Sequence, residues 1–155
     1  MPLPPNLPPK TLRVGVLSHL ASTRPWEIHD HVTALALMQV YESPYQPSPD
    51  GGPPKPLLFS EPLRQEGDPL VVSAPVRPGA TFSDGTPCPA AAVATSLGRV
   101  RDVAARAEIR AREGRVEFRL KAPDPHLATL MTQPFCGVAL ESRGRLLGTG
   151  PFLEP

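Results

Sequence analysis

The sequence lacks a hydrophobic run long enough to cross a membrane, and it lacks an excess of either charge. No segment approaches the ~20 consecutive apolar residues that a transmembrane helix needs. The 16 basic and 15 acidic side chains leave a formal net charge of +1, so whole-chain electrostatics favour neither nucleic acid nor a membrane surface. We therefore predict no nucleic-acid partner and no membrane insertion.

The N-terminus lacks the features of a secretory signal. Residues 1–5 are dominated by proline and supply neither a positively charged stretch nor an apolar stretch. Either the protein stays in the cytoplasm or the sequence begins after a removed signal, and the initiating Met favours the cytoplasm.

Cysteine is scarce, since only Cys88 and Cys136 are present, and two are too few for a disulfide scaffold. Neither has a second Cys or a His beside it at the spacing of a metal-binding motif, so we predict no metal site. Whether the two cysteines are bridged stays open from the sequence, with two reduced thiols as the simpler interpretation.

The sequence also lacks a recognisable catalytic motif. Among its 4 histidines, His29 and His31 would point about 200° apart on a helix and cannot share a metal ion. No Ser or Cys stands in a nucleophile-elbow context. Gly148 and Gly150 lack the strand–loop–helix setting of a phosphate-binding loop. We predict that the protein is not an enzyme and has no cofactor.

Proline, by contrast, is abundant, because the 23 prolines are roughly three times the ordinary share. They gather at residues 2–9, which read as an extended polyproline-like stretch, and at residues 44–56, which read as a loop. We predict a Pro-rich leader over residues 1–10 and one domain over residues 11–155, a length that suits a modest core.

Hydrophobic periodicity predicts a mixed α/β domain. Alternating apolar positions predict strands at residues 12–17, 56–60, 70–76 and 135–140. Helical spacing predicts helices at residues 26–41, from residue 89 onward, and at residues 124–132. The expected inward faces are Ile28, Val32, Leu35 and Met38 in the first helix and Val93, Leu97, Val100 and Ala104 in the second. Cys88 is predicted as a weak N-cap of the second helix.

The best-specified local structure is a hairpin over residues 107–121. With Glu113 and Gly114 as a two-residue turn, the predicted cross-strand pairs are Ala107 with Leu120, Glu108 with Arg119, Ile109 with Phe118, Arg110 with Glu117, and Ala111 with Val116. One face is then apolar, and the other carries opposite charges that contribute roughly 0.2–1 kcal/mol per pair. A one-residue slip would lose both sets of contacts, so the pattern specifies the register.

Arginine is concentrated between Arg99 and Arg119, where seven arginines stand against four acidic residues. This run indicates either a docking patch for acidic partners or nucleic acid, or a solvated face. Because the hairpin register already pairs two of the arginines with acids, we prefer the solvated face.

The segment over residues 76–87, Val-Arg-Pro-Gly-Ala-Thr-Phe-Ser-Asp-Gly-Thr-Pro, is followed by an apolar helix and by Ser96, Leu97, Gly98 and Arg99. This order resembles the signature of bacterial extracellular solute-binding proteins of the peptide and nickel type. Further segments that resemble the family in the same order lie at residues 12–18, 26–42, 57–61, 115–123 and 148–152.

The resemblance implies an α/β fold with mainly antiparallel strands and about three helices, as in the N-terminal lobe of periplasmic-binding-protein-like folds. Family members are several hundred residues long and close two lobes over a peptide, whereas the match here covers only their N-terminal portion. The resemblance therefore implies a truncated, non-enzymatic domain related to ABC-transporter peptide-binding proteins, completed by a partner polypeptide that supplies a second lobe. It also implies a periplasmic location, against the cytoplasmic one predicted above.

An alternative interpretation is a protein-interaction or scaffold module that kept this fold and lost its ligand. In the family, the segment after the first strand faces the peptide, so the resemblance implies ligand-binding roles for Ser22, Thr23, Arg24 and Trp26. A plain core anchor is the other interpretation of Trp26. Exposed apolar surface is expected where the second lobe would dock.

Overall fold

The computed structural model describes residues 14–153. Its helices are α1 (His31–Leu37), α2 (Ala90–Gly98), α3 (Arg101–Ala104) and α4 (Leu127–Leu130), with 3₁₀ turns at Pro25–Glu27 and Pro134–Cys136. Its strands are β1 (Tyr45–Gln46), β2 (Lys55–Pro56), β3 (Arg64–Glu66), β4 (Asp68–Pro75), β5 (Ala107–Arg112), β6 (Arg115–Leu120), β7 (Ala139–Ser142) and β8 (Arg145–Gly148).

The central sheet has the strand order β3-β4-β6-β5, and every neighbouring pair in it is antiparallel. Two-stranded ribbons, β1 with β2 and β7 with β8, accompany it. The predicted mixed α/β class with mainly antiparallel strands is confirmed, with four α-helices where about three were expected. Pro75, which cannot donate a ladder hydrogen bond, is the last residue of β4, where its missing donor costs least.

The β5–β6 hairpin has the predicted register at every pair. Glu113 and Gly114 have φ values of 51° and 76°, the positive values that a tight two-residue hairpin turn requires. Arg110 Nε donates to Glu117 Oε1 at 2.6 Å. Arg119, however, makes its ion pair with Asp68 of β4 at 3.5 Å, because a third strand brings a carboxylate that the isolated hairpin pattern does not include.

The main core lies between α2 and one face of the sheet. Val93 and Leu97 of α2 are fully buried, as are Val116 and Phe118 of β6. Phe59 meets Phe118 edge-on with 6.4 Å between the ring centroids, a favoured aromatic geometry. The packing of α2 against β5 and β6 therefore forms part of one continuous core cluster.

The predicted helix over residues 26–41 is wrong in its extent and in its inward face. Asp30 caps α1 by accepting a hydrogen bond from Thr33 N at 2.8 Å, so the helix begins later. Its buried residues are Thr33 and Leu37, while Leu35 and Met38 of the predicted face are 52% and 48% exposed. Both sides of α1 carry apolar residues, and only the position of the rest of the domain decides which side is covered.

The second predicted helix is wrong in its cap and in one inward position. Pro89, rather than Cys88, precedes the first helical residue. The helical run breaks at Val100, whose backbone is extended with φ −80° and ψ 106°. The break rotates the next turn, so Val103 is buried in place of Ala104, which is exposed.

Other strand and helix predictions are met in part. The predicted strand at residues 12–17 has its first two residues and the whole Pro-rich leader outside the described residues, and residues 14–17 form no strand. No described strand lies beside them to accept ladder hydrogen bonds. The strand predicted at 135–140 is wrong, because a 3₁₀ turn occupies its start and β7 begins at Ala139. The helix predicted at 124–132 is reduced to α4, and Leu127 and Met131 are buried there.

Cys88 and Cys136 are both free and buried, which answers the question that the sequence left open. Burial raises the pKa of the Cys88 thiol to about 11 and the pKa of the Cys136 thiol to about 12. Both are therefore protonated at neutral pH, and the thiolate is the reactive form.

We predict that neither thiol reacts with a disulfide reagent in native buffer at pH 8 and that both react once the chain is unfolded in urea. Released thionitrobenzoate, followed by absorbance, measures the reaction. Stoichiometric release from the native protein would contradict the burial of these side chains.

Over residues 14–153, no helix has the length and hydropathy needed to cross a bilayer.

Candidate functional site

Three of the four residues expected to face a ligand line one cavity. Thr23, Arg24 and Trp26 form part of its wall, and the cavity has a volume of about 430 Å³. Arg99, at the end of α2, and Glu141 and Arg145, on the β7–β8 ribbon, form much of the remainder. The cavity therefore lies where a 3₁₀ turn, a helix end and a hairpin meet.

The fourth residue, Ser22, does not line the cavity but organises the turn that does. Its Oγ donates to Glu27 Oε2 at 2.7 Å and accepts from Arg24 N at 3.1 Å. Pro25 sits at the start of the 3₁₀ turn, where its missing N–H is not needed. Ser22 thus holds the backbone that presents Thr23 and Arg24.

Arg24 already has a carboxylate partner. Its Nη1 contacts Glu27 Oε1 at 3.1 Å. Hydrogen bonds from Ser22 and then Arg24 hold the pKa of the Glu27 carboxyl below its usual value, so this carboxylate stays charged at neutral pH. Arg24 therefore brings an ion pair, and not a bare cation, to the cavity wall.

Trp26 packs into the core and lines the cavity at the same time. It packs against the main core and against the smaller cluster formed around Leu37, Val40 and Tyr41, which makes it a core anchor. It also lines the cavity, where the guanidinium carbon of Arg99 lies 4.8 Å from its ring centroid. A cation over an indole face is attracted by the ring quadrupole, so this contact helps to hold the Arg99 guanidinium at the cavity.

Arg99 has a second, longer contact. Its Nη2 lies 3.4 Å from Glu141 Oε2, beyond the ~2.7–2.9 Å of a well-formed charge-assisted hydrogen bond. The Arg99 and Glu141 side chains are 37% and 62% exposed, and a partly exposed pair of this kind contributes only about 0–1 kcal/mol. The Arg99–Glu141 pair is therefore weak enough to exchange partners.

Arg145 enters the cavity from β8. The β7–β8 ribbon pairs Ser142 with Arg145 across a turn in which Arg143 and Gly144 have φ values of 50° and 75°. Among the residues that the structure describes, no carboxylate forms an ion pair with Arg145. Its guanidinium therefore keeps unused donors at the cavity.

Sequence reasoning missed the cavity roles of Arg99, Glu141 and Arg145. Arg99 was part of the motif that identified α2, but nothing in that motif indicated what its side chain contacts. The glycine at position 144 permits a turn between the two short strands, but this signal alone was too weak to identify the β7–β8 ribbon that carries the other two.

The cavity wall offers charged, hydrogen-bonding and aromatic groups. Its lining residues contain neither His nor Cys, and nowhere in residues 14–153 do three or more His, Cys, Asp or Glu side chains gather as a metal site would require. What the wall does offer is guanidinium donors, one carboxylate, a hydroxyl and an aromatic face. This set of groups can hold a polar ligand.

No protein-family model and no curated protein matches the sequence, but solved structures match the fold. The Escherichia coli murein tripeptide binding protein MppA aligns with a TM-score of 0.74 at 15% identity, over 89% of this chain and 34% of its own. The fold is that of one portion of a peptide- or nickel-type solute-binding protein. Listeria monocytogenes OppA bound to peptide aligns with a TM-score of 0.69 at 20% identity, over 85% of this chain.

A nickel-binding example is similar as well. NikA from Staphylococcus aureus, in complex with Ni(L-His)2, aligns with a TM-score of 0.68 at 18% identity, over 83% of this chain and 29% of its own. The chain thus spans about a third of the length of these solute-binding proteins. At these identities the likeness establishes the solute-binding-protein fold, as the resemblance in the sequence predicted.

Proposed function

We propose that this chain is a non-enzymatic ligand-binding domain of the solute-binding type, related to ABC-transporter peptide-binding proteins, and that its ligand is a short peptide. The observation that carries the proposal is the cavity at Thr23, Arg24 and Trp26, in a domain whose fold is shared with OppA bound to peptide. A cavity of about 430 Å³ falls in the range of ~300–1,000 Å³ that is usual for small-ligand sites.

We further propose that a partner polypeptide completes the domain. Within residues 14–153, the exposed large apolar side chains are Val14, Val16, Leu17, Leu35, Met38, Phe152 and Leu153, and we call them the apolar surface. Exposed apolar patches often mark interaction sites, so we propose that the partner docks on this surface.

Hydrogen bonds to α1 and its C-terminal end bring the parts of the apolar surface together. Ala21 N donates to Thr33 Oγ1 at 3.0 Å, which holds the N-terminal segment beside the helix. Phe152 N donates to Gln39 O at 3.2 Å, which holds the C-terminal segment beside the end of the same helix. We propose that a partner covering α1 also contacts the two flanking segments that these hydrogen bonds anchor.

The alternative is a protein-interaction module that has the fold but binds no ligand. The internal pairing of Arg24 with Glu27 and of Arg99 with Glu141 favours it, because these groups are partly satisfied without a ligand. The apolar surface serves this alternative equally well, so only ligand binding separates the two functions.

The test measures mass and ligand binding on the same samples. The full chain is purified alone and after co-expression with the polypeptide encoded beside it. Light scattering then measures the mass of each sample, and calorimetry measures its binding of short peptides. We expect a stable complex that binds short peptides. A complex without peptide binding favours the interaction module, and a monomer that binds no peptide contradicts both functions.

A matched pair of variants tests whether the apolar surface is the contact. Leu35→Glu adds one negative charge to the exposed side of α1, and Gln65→Glu adds the same charge at an exposed position on β3. The complex should be lost with Leu35→Glu and kept with Gln65→Glu. Equal retention in both would place the contact elsewhere on the chain.

A further inference from the structure

Three guanidinium groups from distant parts of the sequence converge on the cavity. Arg24 comes from the 3₁₀ turn, Arg99 from the end of α2, and Arg145 from β8. Only one carboxylate, that of Glu141, lines the same cavity, and Glu27 neutralises Arg24 from beside it. Three positive charges thus face two negative ones, which leaves an excess positive charge that an anionic ligand group would balance.

Arg99 and Arg145, unlike Arg24, have guanidinium donors available to a ligand. Arg99 contacts Glu141 through a single long approach of 3.4 Å, and Arg145 has no ion-pair partner within residues 14–153. An arginine carries five N–H donors and no acceptor. Most of these donors at Arg99 and Arg145 are therefore available to a ligand group that only accepts hydrogen bonds.

The position of Arg99 favours a planar anion. Its guanidinium lies over the Trp26 ring at 4.8 Å, so the aromatic ring restrains the side chain before a ligand arrives. A carboxylate matches the guanidinium fork of donors with two parallel hydrogen bonds. Binding by a restrained side chain loses less rotational freedom than binding by a free one.

We propose that the cavity binds a carboxylate of the peptide through Arg99 and Arg145, and that Glu141 is the counter-ion which this carboxylate displaces from Arg99. The inference rests on the proposed peptide-binding function and adds to it a charge requirement for the ligand. A peptide offers a carboxylate from two sources, its C-terminus and an acidic side chain, and both present the same group to the two arginines.

The experiment uses three probe peptides on the full chain, together with its complex if one forms. They are trialanine with a free C-terminus, trialanine amide, and the amide of alanyl-glutamyl-alanine. Calorimetry gives the affinities. The fluorescence of Trp26, which is the only tryptophan and lines the cavity, reports whether binding occurs there.

We expect free trialanine to bind at least about tenfold more tightly than its amide, since a hydrogen bond to a charged group outweighs a neutral one by that order. If the glutamyl amide matches free trialanine, an acidic side chain suffices. If it matches the plain amide, the C-terminus is the source. Equal affinity for all three overturns the carboxylate inference and leaves the peptide function standing, whereas no binding by any of them overturns the function as well.

Substitutions separate the roles of the individual residues. Arg99→Gln and Arg145→Gln should each reduce the affinity for free trialanine towards that of the amide, and Glu141→Gln should raise it several-fold because the internal competitor is gone. Arg101→Gln removes the same charge from α3, outside the cavity wall, and should change neither affinity. If Arg101→Gln lowered the affinity for free trialanine as much as Arg145→Gln does, the net charge of the protein alone would explain the effect. That result would overturn the assignment. Circular dichroism confirms that each variant is folded.

Discussion

Replacing Gly148 with alanine should destabilise the domain by about 3 kcal/mol or more, the upper range for forcing extra atoms into a packed site. A Cβ at this position would overlap Val40 O and would lie 2.8 Å from Tyr41 Cδ1. The first contact is with backbone, which cannot move aside as a flexible side chain could. Because domains of this kind are stabilised by only about 5–15 kcal/mol, the variant should unfold at a much lower urea concentration.

Gly98→Ala is the matched control. A Cβ at Gly98, the last residue of α2, meets nothing within 4 Å. Alanine there should be neutral or stabilise the helix by up to about 1 kcal/mol. Urea unfolding followed by circular dichroism compares the two variants, and coincident transitions would contradict the close approach of β8 to the end of α1.

Replacing Phe118 with alanine should cost about 3–5 kcal/mol, the usual loss when a buried aromatic ring is truncated. Phe118 is 0% exposed. It pairs with Val72 and Ile109 on the two neighbouring strands, so a cavity left at this position cannot be filled without moving the sheet. Thermal unfolding of the purified variant measures the loss.

Phe152→Ala makes the same chemical change at an exposed site and serves as the control. Phe152 is 59% exposed, and surface substitutions of this kind usually stay within about 0.5 kcal/mol. A drop in unfolding temperature equal to that of Phe118→Ala would mean that the C-terminal segment is packed more tightly than the structure shows.

The β5–β6 hairpin shows what sequence can specify on its own. The turn at Glu113 and Gly114, the apolar alternation and the opposed charges all required one register, and the structure has it. Those signals are local, because every pair lies within a short stretch of chain. The β7–β8 ribbon carries an equivalent turn at Arg143 and Gly144, yet its short strands lack the run of opposed charges that would have identified it.

Features that depend on distant parts of the chain were not predictable in the same way. Helix α1 presents apolar side chains on two sides, and the choice between Leu37 inward and Leu35 outward is made by packing against Tyr41 and Ala139. The break of the helical run at Val100 follows Gly98, which the sequence pattern allows either inside a helix or at its end. Periodicity alone cannot resolve either case.

The cavity residues, too, were predicted from the sequence only in part. Thr23, Arg24 and Trp26 came from a resemblance that placed their segment against a ligand. Arg99 and Arg145 reach the cavity from other elements, and an isolated arginine in a sequence usually reads as a solvated surface residue. Their convergence is a property of the tertiary fold, so no local pattern could have identified the pair.

The attachment of both flanking segments to α1 has a consequence for how the domain can be joined to other chains. The anchor points at Thr33 and Gln39 are separated by roughly 9 Å along the helix at 1.5 Å per residue. A host protein could therefore accommodate the unit as an insertion in a single surface loop, with the chain entering and leaving at nearly the same place. A circular permutant would need only a short linker between these two segments.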